Sequence, residues 1–386
     1  MPDGDRLPAR APAPVLPDYA GACVSNVFAS VLAPESAMPD WVPIPTTVAG
    51  ADAVVLLVLD GLGWEQLRAR HRLAPTLSAA AGIERPITSV APTTTATALT
   101  SITTGRPPSQ HGVLGYRMAA GGEILNVLRW TIGRGEGHDA RRAVPARGLQ
   151  PLPPFPGTER PVPVVSRDEF GGTGFTAVHL GDAPLHGYKV ASSLPVEVDR
   201  LVRSGETVVY AYYDGMDKVA HSCGLDEHYD AELRATDGLV ADLLDRLPSG
   251  TVVAVTADHG QIDIGLQVEL LGRDLMNGIE LLSGEGRFRW LHARPGAVPD
   301  LVAGATERYG DTTWVVERDR AVDEGWFGGA LSADFVSRIG DVALVPYAPI
   351  AFVDPADTGE SRLQSRHGSL TPDEVHVPLL VMEATG

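Results

Sequence analysis

Residues 53–59, AVVLLVL, are apolar at every position and rich in β-branched side chains, and Asp60-Gly61 closes the run. A stretch with no polar face has none to give to water, so it predicts a strand buried on both sides of a parallel sheet. The same reading predicts strands in ERPITSV (84–90), ETVVYAYYD (206–214), TVVAVTADHG (251–260) and, near the end, HVPLLVMEA (376–384). Between them the period changes. Trp64, Leu67 and Leu73 follow the first strand with helix-like spacing, and Val196 to Val202 is amphipathic. Leu233, Val240, Leu243, Leu244 and Leu247 share one face at intervals near 3.6, before Pro248-Ser249-Gly250 stops the helix. Strands alternating with helices predict an α/β fold with a mostly parallel central sheet flanked by helices.

Three regions break this rhythm. Residues 1–20, Pro- and Ala-rich, are expected to form a loose tail ahead of one domain spanning 21–386. Residues 143–164 hold seven prolines and predict a surface loop. Residues from about 265 to 360 carry shorter mixed elements such as RFRWLHARP and TTWVVERD, and are expected to form a smaller inserted subdomain before the chain returns to the sheet.

Composition narrows the function. The chain of 386 residues carries 31 Lys+Arg against 49 Asp+Glu, a formal charge of −18, which repels a polyanion and argues against a nucleic acid partner. At 44% hydrophobic it can bury a large core. Cys23 and Cys223 lie 200 residues apart with no CxxC spacing, so neither a disulfide framework nor a thiolate metal site is expected. No apolar run follows the basic residues near the N-terminus, and no stretch of about eighteen apolar residues occurs. A cytoplasmic protein without a membrane segment is the expectation; the sequence leaves its oligomeric state open.

In open parallel sheets, functional groups gather at the carboxyl ends of strands. Here those ends deliver Asp60, then Asp214 with Asp217 and His221, then Asp258-His259. Carboxylates and neutral imidazoles on a rigid frame are the donor set of a divalent ion such as zinc or manganese. Each piece alone has a plainer explanation: Asp60 as a helix cap, Asp217 and His221 as an i,i+4 surface pair, His367 as a structural histidine. For adjacent Asp258 and His259 to face one site, the chain must turn tightly, which Gly260 permits. In Ala91-Pro-Thr-Thr-Thr-Ala-Thr, the proline keeps the preceding residue extended, so a helix starts only after it. A threonine there is either a cap or a nucleophile beside a phosphate-binding helix N-terminus.

Taken together, Asp60 in LVLDGLGW, Thr95 in PTTTATALTSITTGRPPSQHG, Asp217 and His221 in DKVAH, Asp258 and His259 in TADHG, and His367 in RHGS resemble the alkaline phosphatase superfamily, in the same order along the chain. Within it the chain looks most like the nucleotide pyrophosphatase/phosphodiesterase branch. Its nucleophile is the second threonine of Pro-Thr-x-Thr, ten residues before the glycine of a Thr-Gly; Thr95 stands three after Pro92 and ten before Gly105. The resemblance covers roughly residues 50–260 and 365–382. It implies two zinc-like ions, one held by Asp217, His221 and His367, the other by Asp60, Asp258, His259 and the Thr95 oxygen. It also implies a phospho-threonine intermediate. Family phosphodiesterases commonly place a phosphate-binding asparagine five residues after the His-Gly histidine, where this chain has Tyr116. A tyrosine hydroxyl can donate as well, with a different reach.

The resemblance implies a small phosphorylated substrate, a nucleotide among the candidates. The alternatives are a phosphonate hydrolase or phosphomonoesterase of the same superfamily, or a metal-binding or regulatory protein on the same scaffold without catalysis. A sulfatase would need Cys or Ser in C/S-x-P-x-R, which neither cysteine has. A Rossmann enzyme lacks support, since Gly61 and Gly63 have no third glycine.

Overall fold

In the computed structural model of the protein, the described residues are 11–32, 50–133, 135–357 and 362–386. The first half of the expected loose tail lies outside them. Residues 11–20 have no helix or strand, yet they are tied down. The Val15 N–H donates to the Leu370 carbonyl (2.9 Å), the Asp18 N–H to Thr88 Oγ1 (2.8 Å), and the Tyr19 hydroxyl to the Trp326 carbonyl (2.8 Å). Looseness therefore does not extend to this part, because its backbone groups find fixed partners on the body.

Six strands form the central sheet, in the order Leu379–Glu383, Thr251–Thr256, Ala53–Leu59, Val208–Tyr213, Val164–Arg167 and Leu185–Tyr188. Five run parallel; the last of the chain, Leu379–Glu383, pairs antiparallel with Thr251–Thr256. Every residue of Ala53–Leu59 and of Thr251–Thr256 is buried, which is why both read as unbroken apolar runs. Helix Leu194–Arg203 buries Leu194, Val198 and Leu201. Helix Glu227–Arg246, capped by the Asp226 side chain, buries Leu233, Val240, Leu243 and Leu244 along the predicted stripe.

One expected strand is displaced. Segment 84–90 contributes only Ile87–Thr88, paired antiparallel with His376–Val377 outside the central sheet. Pro86 has no N–H for a ladder and Pro92 follows closely, so the segment cannot extend. Its place in the sheet goes to Val164–Arg167 and Leu185–Tyr188. The first of these begins at the very end of the Pro-rich stretch. That stretch, 143–164, is otherwise irregular apart from the single turn Ala146–Leu149.

Within 265–360 the chain builds a second, antiparallel sheet, ordered Ile279–Glu285, Phe288–Ala293, Val342–Pro346, Thr313–Glu317, with helix Val298–Tyr309 burying Leu301 and Ala305 beside it. The turn of its first hairpin carries Arg287, which is fully buried. Arg287 Nε and Nη2 donate to both carboxylate oxygens of Glu374, at 3.0 and 2.7 Å; Glu374 is equally buried. Glu374 also accepts from the Ser369 N–H (3.0 Å) and Thr371 Oγ1 (2.6 Å). The pair thus bolts the second sheet to the loop that follows His367.

Removing one partner of a fully buried ion pair leaves a charge without compensation, at a cost of about 3–5 kcal/mol. Glu374→Ala is expected to lose that much in urea unfolding. The double change Arg287→Met, Glu374→Leu should lose clearly less. A single substitution costing under about 1 kcal/mol would contradict the account of the pair.

Candidate active site

Three neighbouring strands end at one rim and each hands acidic residues to it. Asp60 follows Ala53–Leu59. Its N–H donates to the Tyr213 carbonyl (2.9 Å) and its carbonyl accepts from the Asp217 N–H (3.1 Å), which draws helix Gly215–Cys223 against the strand end. One turn on, His221 Nε2 lies 3.2 Å from Asp217 Oδ1. Asp258 and His259 follow Thr251–Thr256, and Asp258 Oδ1 accepts from the Gly61 and His259 N–H groups, both at 3.1 Å. Gly61 has φ +74, and a Cβ there would stand 2.4 Å from Gln261 Nε2. Gly260 serves differently from expectation. It is not left-handed; instead a Cβ would stand 2.1 Å from the Asp373 carbonyl, so its role is close backbone contact.

Thr95 opens helix Thr95–Thr104, every residue of which is buried, and its Oγ1 lies 3.1 Å from His259 Nε2. Thr94, the N-cap, makes no side-chain cap bond. Thr93 is structural, since its Oγ1 donates to the Ser369 carbonyl (2.9 Å) and accepts from the Gly368 N–H (2.9 Å). Through these bonds the loop bearing His367 is clamped to the start of helix Thr95–Thr104.

The three histidines are oriented alike. Nδ1 of His221 faces the Ser365 carbonyl (2.7 Å), that of His367 the Thr93 carbonyl (2.8 Å), and that of His259 the Gly260 carbonyl (3.1 Å). A carbonyl can only accept, so each Nδ1 carries the proton and each Nε2 offers its lone pair to the site. Asp60 Oδ1, Asp258 Oδ2 and His259 Nε2 gather in one group. Asp217, His259 and His367 form another, each within 4.8 Å. His259 belongs to both, its ring stacked on His367 with centroids 3.5 Å apart. His221 reaches Asp217 without joining either group.

Burial, reinforced by the neighbouring carboxylates, raises the pKa of Asp60 well above the usual range. Burial also raises Asp217 and Asp258, against the pull of His221 and His259 respectively. Burial lowers His259 and, together with the neighbouring rings, His367. Asp60 Oδ1 and Asp258 Oδ2 are buried with no hydrogen-bond partner among the described residues. Concentrated buried carboxylate and neutral imidazole, with orphaned oxygens aimed together, is an arrangement that a divalent cation would stabilise. The residues present fit one.

Two cavities meet at Thr95, Leu128 and Asp217. One, about 290 Å³, is lined also by Tyr116, Arg129, Glu285, Arg366 and His367; the other, about 200 Å³, by Asp60 and a largely apolar wall. Tyr116 thus shares a cavity with Thr95, and its hydroxyl accepts from Asn126 Nδ2 (2.6 Å). Several contributors escaped the sequence reading. Tyr212 donates its hydroxyl to Asp60 Oδ2, and Gln261 Nε2 donates to Asp217 Oδ1 (2.9 Å). Gln261 directly follows Asp258-His259-Gly260, and Tyr212 lies on the strand leading to Asp214, the two signals that could have found them. Asn126 ends strand Glu123–Asn126 and Arg129 lies in the turn after it, with no such mark.

A family described as type I phosphodiesterase / nucleotide pyrophosphatase matches residues 54–131 and 185–370, stretches that contain all seven residues gathered here. Among solved structures, mouse ectonucleotide pyrophosphatase/phosphodiesterase 5 aligns with a TM-score of 0.61 at 13% identity, over 85% of this chain and 87% of that one. An inactive form of the mouse protein, in complex with AMP, aligns with the same TM-score at 12% identity and the same coverage of both chains. Phosphonoacetate hydrolase from Sinorhizobium meliloti 1021, in complex with phosphonoformate, aligns with a TM-score of 0.59 at 19% identity, over 86% and 90%. At such identities the likeness establishes the fold. A sequence search among curated proteins finds no match.

Because burial raises the Asp258 pKa, its ionised form costs the ion-free fold stability at neutral pH. That cost fades as pH falls through the raised value and vanishes below the ordinary aspartate range, where folded and unfolded states are both protonated. In chelator-treated protein at pH 7, Asp258→Asn is therefore expected to melt higher, by the equivalent of about 1 kcal/mol or more. With zinc added the order should reverse. A lower melting point for the ion-free variant at pH 7, with no dependence on acidification, would refute this electrostatic account.

Proposed function

The chain belongs to the type I phosphodiesterase / nucleotide pyrophosphatase family, and from that premise we propose that it is a phosphohydrolase cleaving phosphodiester or pyrophosphate bonds at Thr95 with two divalent ions, zinc ahead of manganese. The observation that carries the reading is the convergence of Thr95 Oγ1, His259 Nε2 and the orphaned Asp60 and Asp258 oxygens at the start of a buried helix. Asp60, Asp258 and His259 would hold one ion beside Thr95; Asp217, His221 and His367 would hold the other. When bound, such ions supply charge that lowers the pKa of a facing hydroxyl and offsets charge on phosphoryl oxygens.

The chain's own residues then do the following. Thr95 Oγ1 attacks phosphorus in line, the P–O bond to the leaving oxygen breaks, and the phosphoryl group is carried as a threonine ester. Water cleaves that ester, returning the hydroxyl and releasing the phosphorylated product. The protons involved exchange with solvent, so no histidine base is required. N–H groups of the first helical turn after Thr94 face the phosphoryl oxygens with the positive end of the helix dipole. Tyr116, held by Asn126, donates to a non-bridging oxygen.

Arg129 favours a second reading, a phosphonate hydrolase: it lines the Thr95 cavity, and among the described residues no carboxylate pairs with it. A guanidinium there suits a substrate carboxylate. Cys23 and Cys223 are unpaired, and no helix among the described residues is long and apolar enough to cross a membrane. Free thiols support the reading of a cytoplasmic enzyme acting on small phosphorylated molecules.

Elemental analysis after zinc reconstitution is expected to give about two ions per chain; one or none would sink the two-ion reading. Thr95→Ala should cut turnover of bis(p-nitrophenyl) phosphate about a thousandfold or more, with zinc content kept. A near-wild-type rate would rule Thr95 out as nucleophile, and equal loss with a phosphonoacetate substrate preferred tenfold over the diester would favour the second reading.

For Tyr116, removing a donor that acts in the transition state typically costs about a hundredfold in kcat. Tyr116→Phe is expected to show that loss with zinc content and melting temperature close to wild type. Should Tyr116→Phe be silent while Tyr116→Ala raises KM for aromatic esters, the ring is only a wall of the cavity.

A further inference from the structure

Two polar side chains beside the site, those of Gln261 and Ser365, are fully buried and have no part in the chemistry at Thr95. Gln261 follows Asp258-His259-Gly260, and Ser365 stands two residues before His367. Their segments meet as two short antiparallel strands, Ile262–Asp263 against Ser365–Arg366. A buried amide cannot turn to water for its hydrogen bonds, so the partners it has are costly to lose.

Gln261 Nε2 donates to Asp217 Oδ1 (2.9 Å), and Ser365 Oγ donates to Gln261 Oε1 (2.8 Å). An ionised carboxylate can only accept, which fixes the amide with its nitrogen toward Asp217 and its oxygen toward Ser365. The Ser365 carbonyl accepts from His221 Nδ1 (2.7 Å), and the Gln364 N–H donates to the His221 carbonyl (2.9 Å). The contacts close on themselves. Asp217 and His221, one turn apart on helix Gly215–Cys223, are joined a second time through Gln261 and Ser365. Asp217 Oδ1 thereby stands 3.2 Å from His221 Nε2 and 3.8 Å from His367 Nε2. With Nδ1 of each neutral ring protonated, these contacts set acceptor against acceptor, which a cation among them would relieve.

Gln261 is held from other sides as well. Its backbone carbonyl accepts from Gln66 Nε2 (2.5 Å), and a Cβ on Gly61 would stand 2.4 Å from its amide nitrogen. The other two carboxylates of the site rely on different donors. Asp60 takes the Tyr212 hydroxyl, and Asp258 takes the N–H groups of Gly61 and His259. Among the described residues, the side chains of Gln261 and Ser365 bond to neither of these two.

We propose that Gln261 and Ser365 are positioning residues for one ion only, the one that Asp217, His221 and His367 would hold. Ser365 fixes the Gln261 amide, and Gln261 aims Asp217 Oδ1 at the two histidine nitrogens. The proposal rests on the two-ion reading given above. It makes the affinity of one ion adjustable through residues that touch neither ion nor substrate, while the ion beside Thr95 is left alone.

Zinc competition against a chromophoric chelator, on the full ion-free chain, tests this without turnover. Wild type is expected to take two ions. Gln261→Met keeps the length of the side chain and removes the donor; it should weaken one ion about ten- to a hundredfold and leave the other unchanged. Ser365→Ala should weaken the same ion by less, and it carries the same test should Gln261→Met not fold. In the double variant the loss should equal that of Gln261→Met alone, because Ser365 acts through Gln261. Cobalt bound at the weakened site should show a changed visible spectrum, which a loss of fold stability alone would not produce. Equal weakening of both ions, weakening of neither, or additive losses in the double variant would each overturn the proposal. A wild type that takes one ion, weakened in Gln261→Met, would support the proposal and overturn the two-ion reading; a wild type that takes none would overturn both.

Discussion

Three carboxylates, those of Asp60, Asp217 and Asp258, are held close together out of water, and the rest of the molecule is arranged around that constraint. Left alone, each would raise the cost of ionising the others. The backbone meets part of the cost by turning N–H groups toward them, as Gly61 and His259 do for Asp258. Tyr212 and Gln261 add donors to Asp60 and Asp217. What remains among the described residues is two carboxylate oxygens of the site without hydrogen-bond partners, Asp60 Oδ1 and Asp258 Oδ2, beside the His259 imidazole, a demand for positive charge that these residues leave unmet.

The sheet makes this possible because a strand buried on both faces cannot shift without exposing one of them. Ala53–Leu59 is held between Thr251–Thr256 and Val208–Tyr213 by parallel ladders in register, so the three strand ends are fixed relative to one another. The fourth contributor comes from far away in sequence. His367 arrives on a loop clamped at one end by Thr93 and at the other by the Glu374–Arg287 pair. The second sheet, remote from the chemistry, thereby fixes where a histidine of the site stands.

The two cavities that meet at Thr95 differ in chemistry. The larger has cations, Arg129 and Arg366, near Thr95; the smaller joins an apolar wall, Leu99, Val164, Phe170, Phe175, Leu180 and Leu185, to the carboxylates of Asp60, Asp214 and Asp217. Leu128 belongs to both, on the turn whose Asn126 side chain reaches Tyr116 and accepts from the Arg129 N–H (3.0 Å). The rim where the acids meet is thus joined to cavity walls drawn partly from residues outside the family match.

Much of this was legible in the chain. Unbroken apolar runs reveal strands buried on both faces, because burial removes any reason for polar residues there, and the acids that close them mark strand ends. Thr95, Asp217 and His221 could be named because their spacings are local to a helix start or a single helical turn. Other features depend on distance folding alone can set. Pro86 and Pro92 kept segment 84–90 out of the sheet, while Val164–Arg167 entered it from a proline-rich stretch with only four residues to show. Gly260 proved to be a place where two backbones touch rather than a turn. Asn126 and Arg129 carry no pattern, since a side chain becomes a wall only when elements far apart in sequence close around a common space. The sequence by itself determined the fold class and the order of the acids and histidines that meet at the rim, through periodicity and local spacing. Which nitrogen of His221 and His367 faces the site was decided only by tertiary contacts, those with the Ser365 and Thr93 carbonyls, since each joins residues more than a hundred positions apart in the chain.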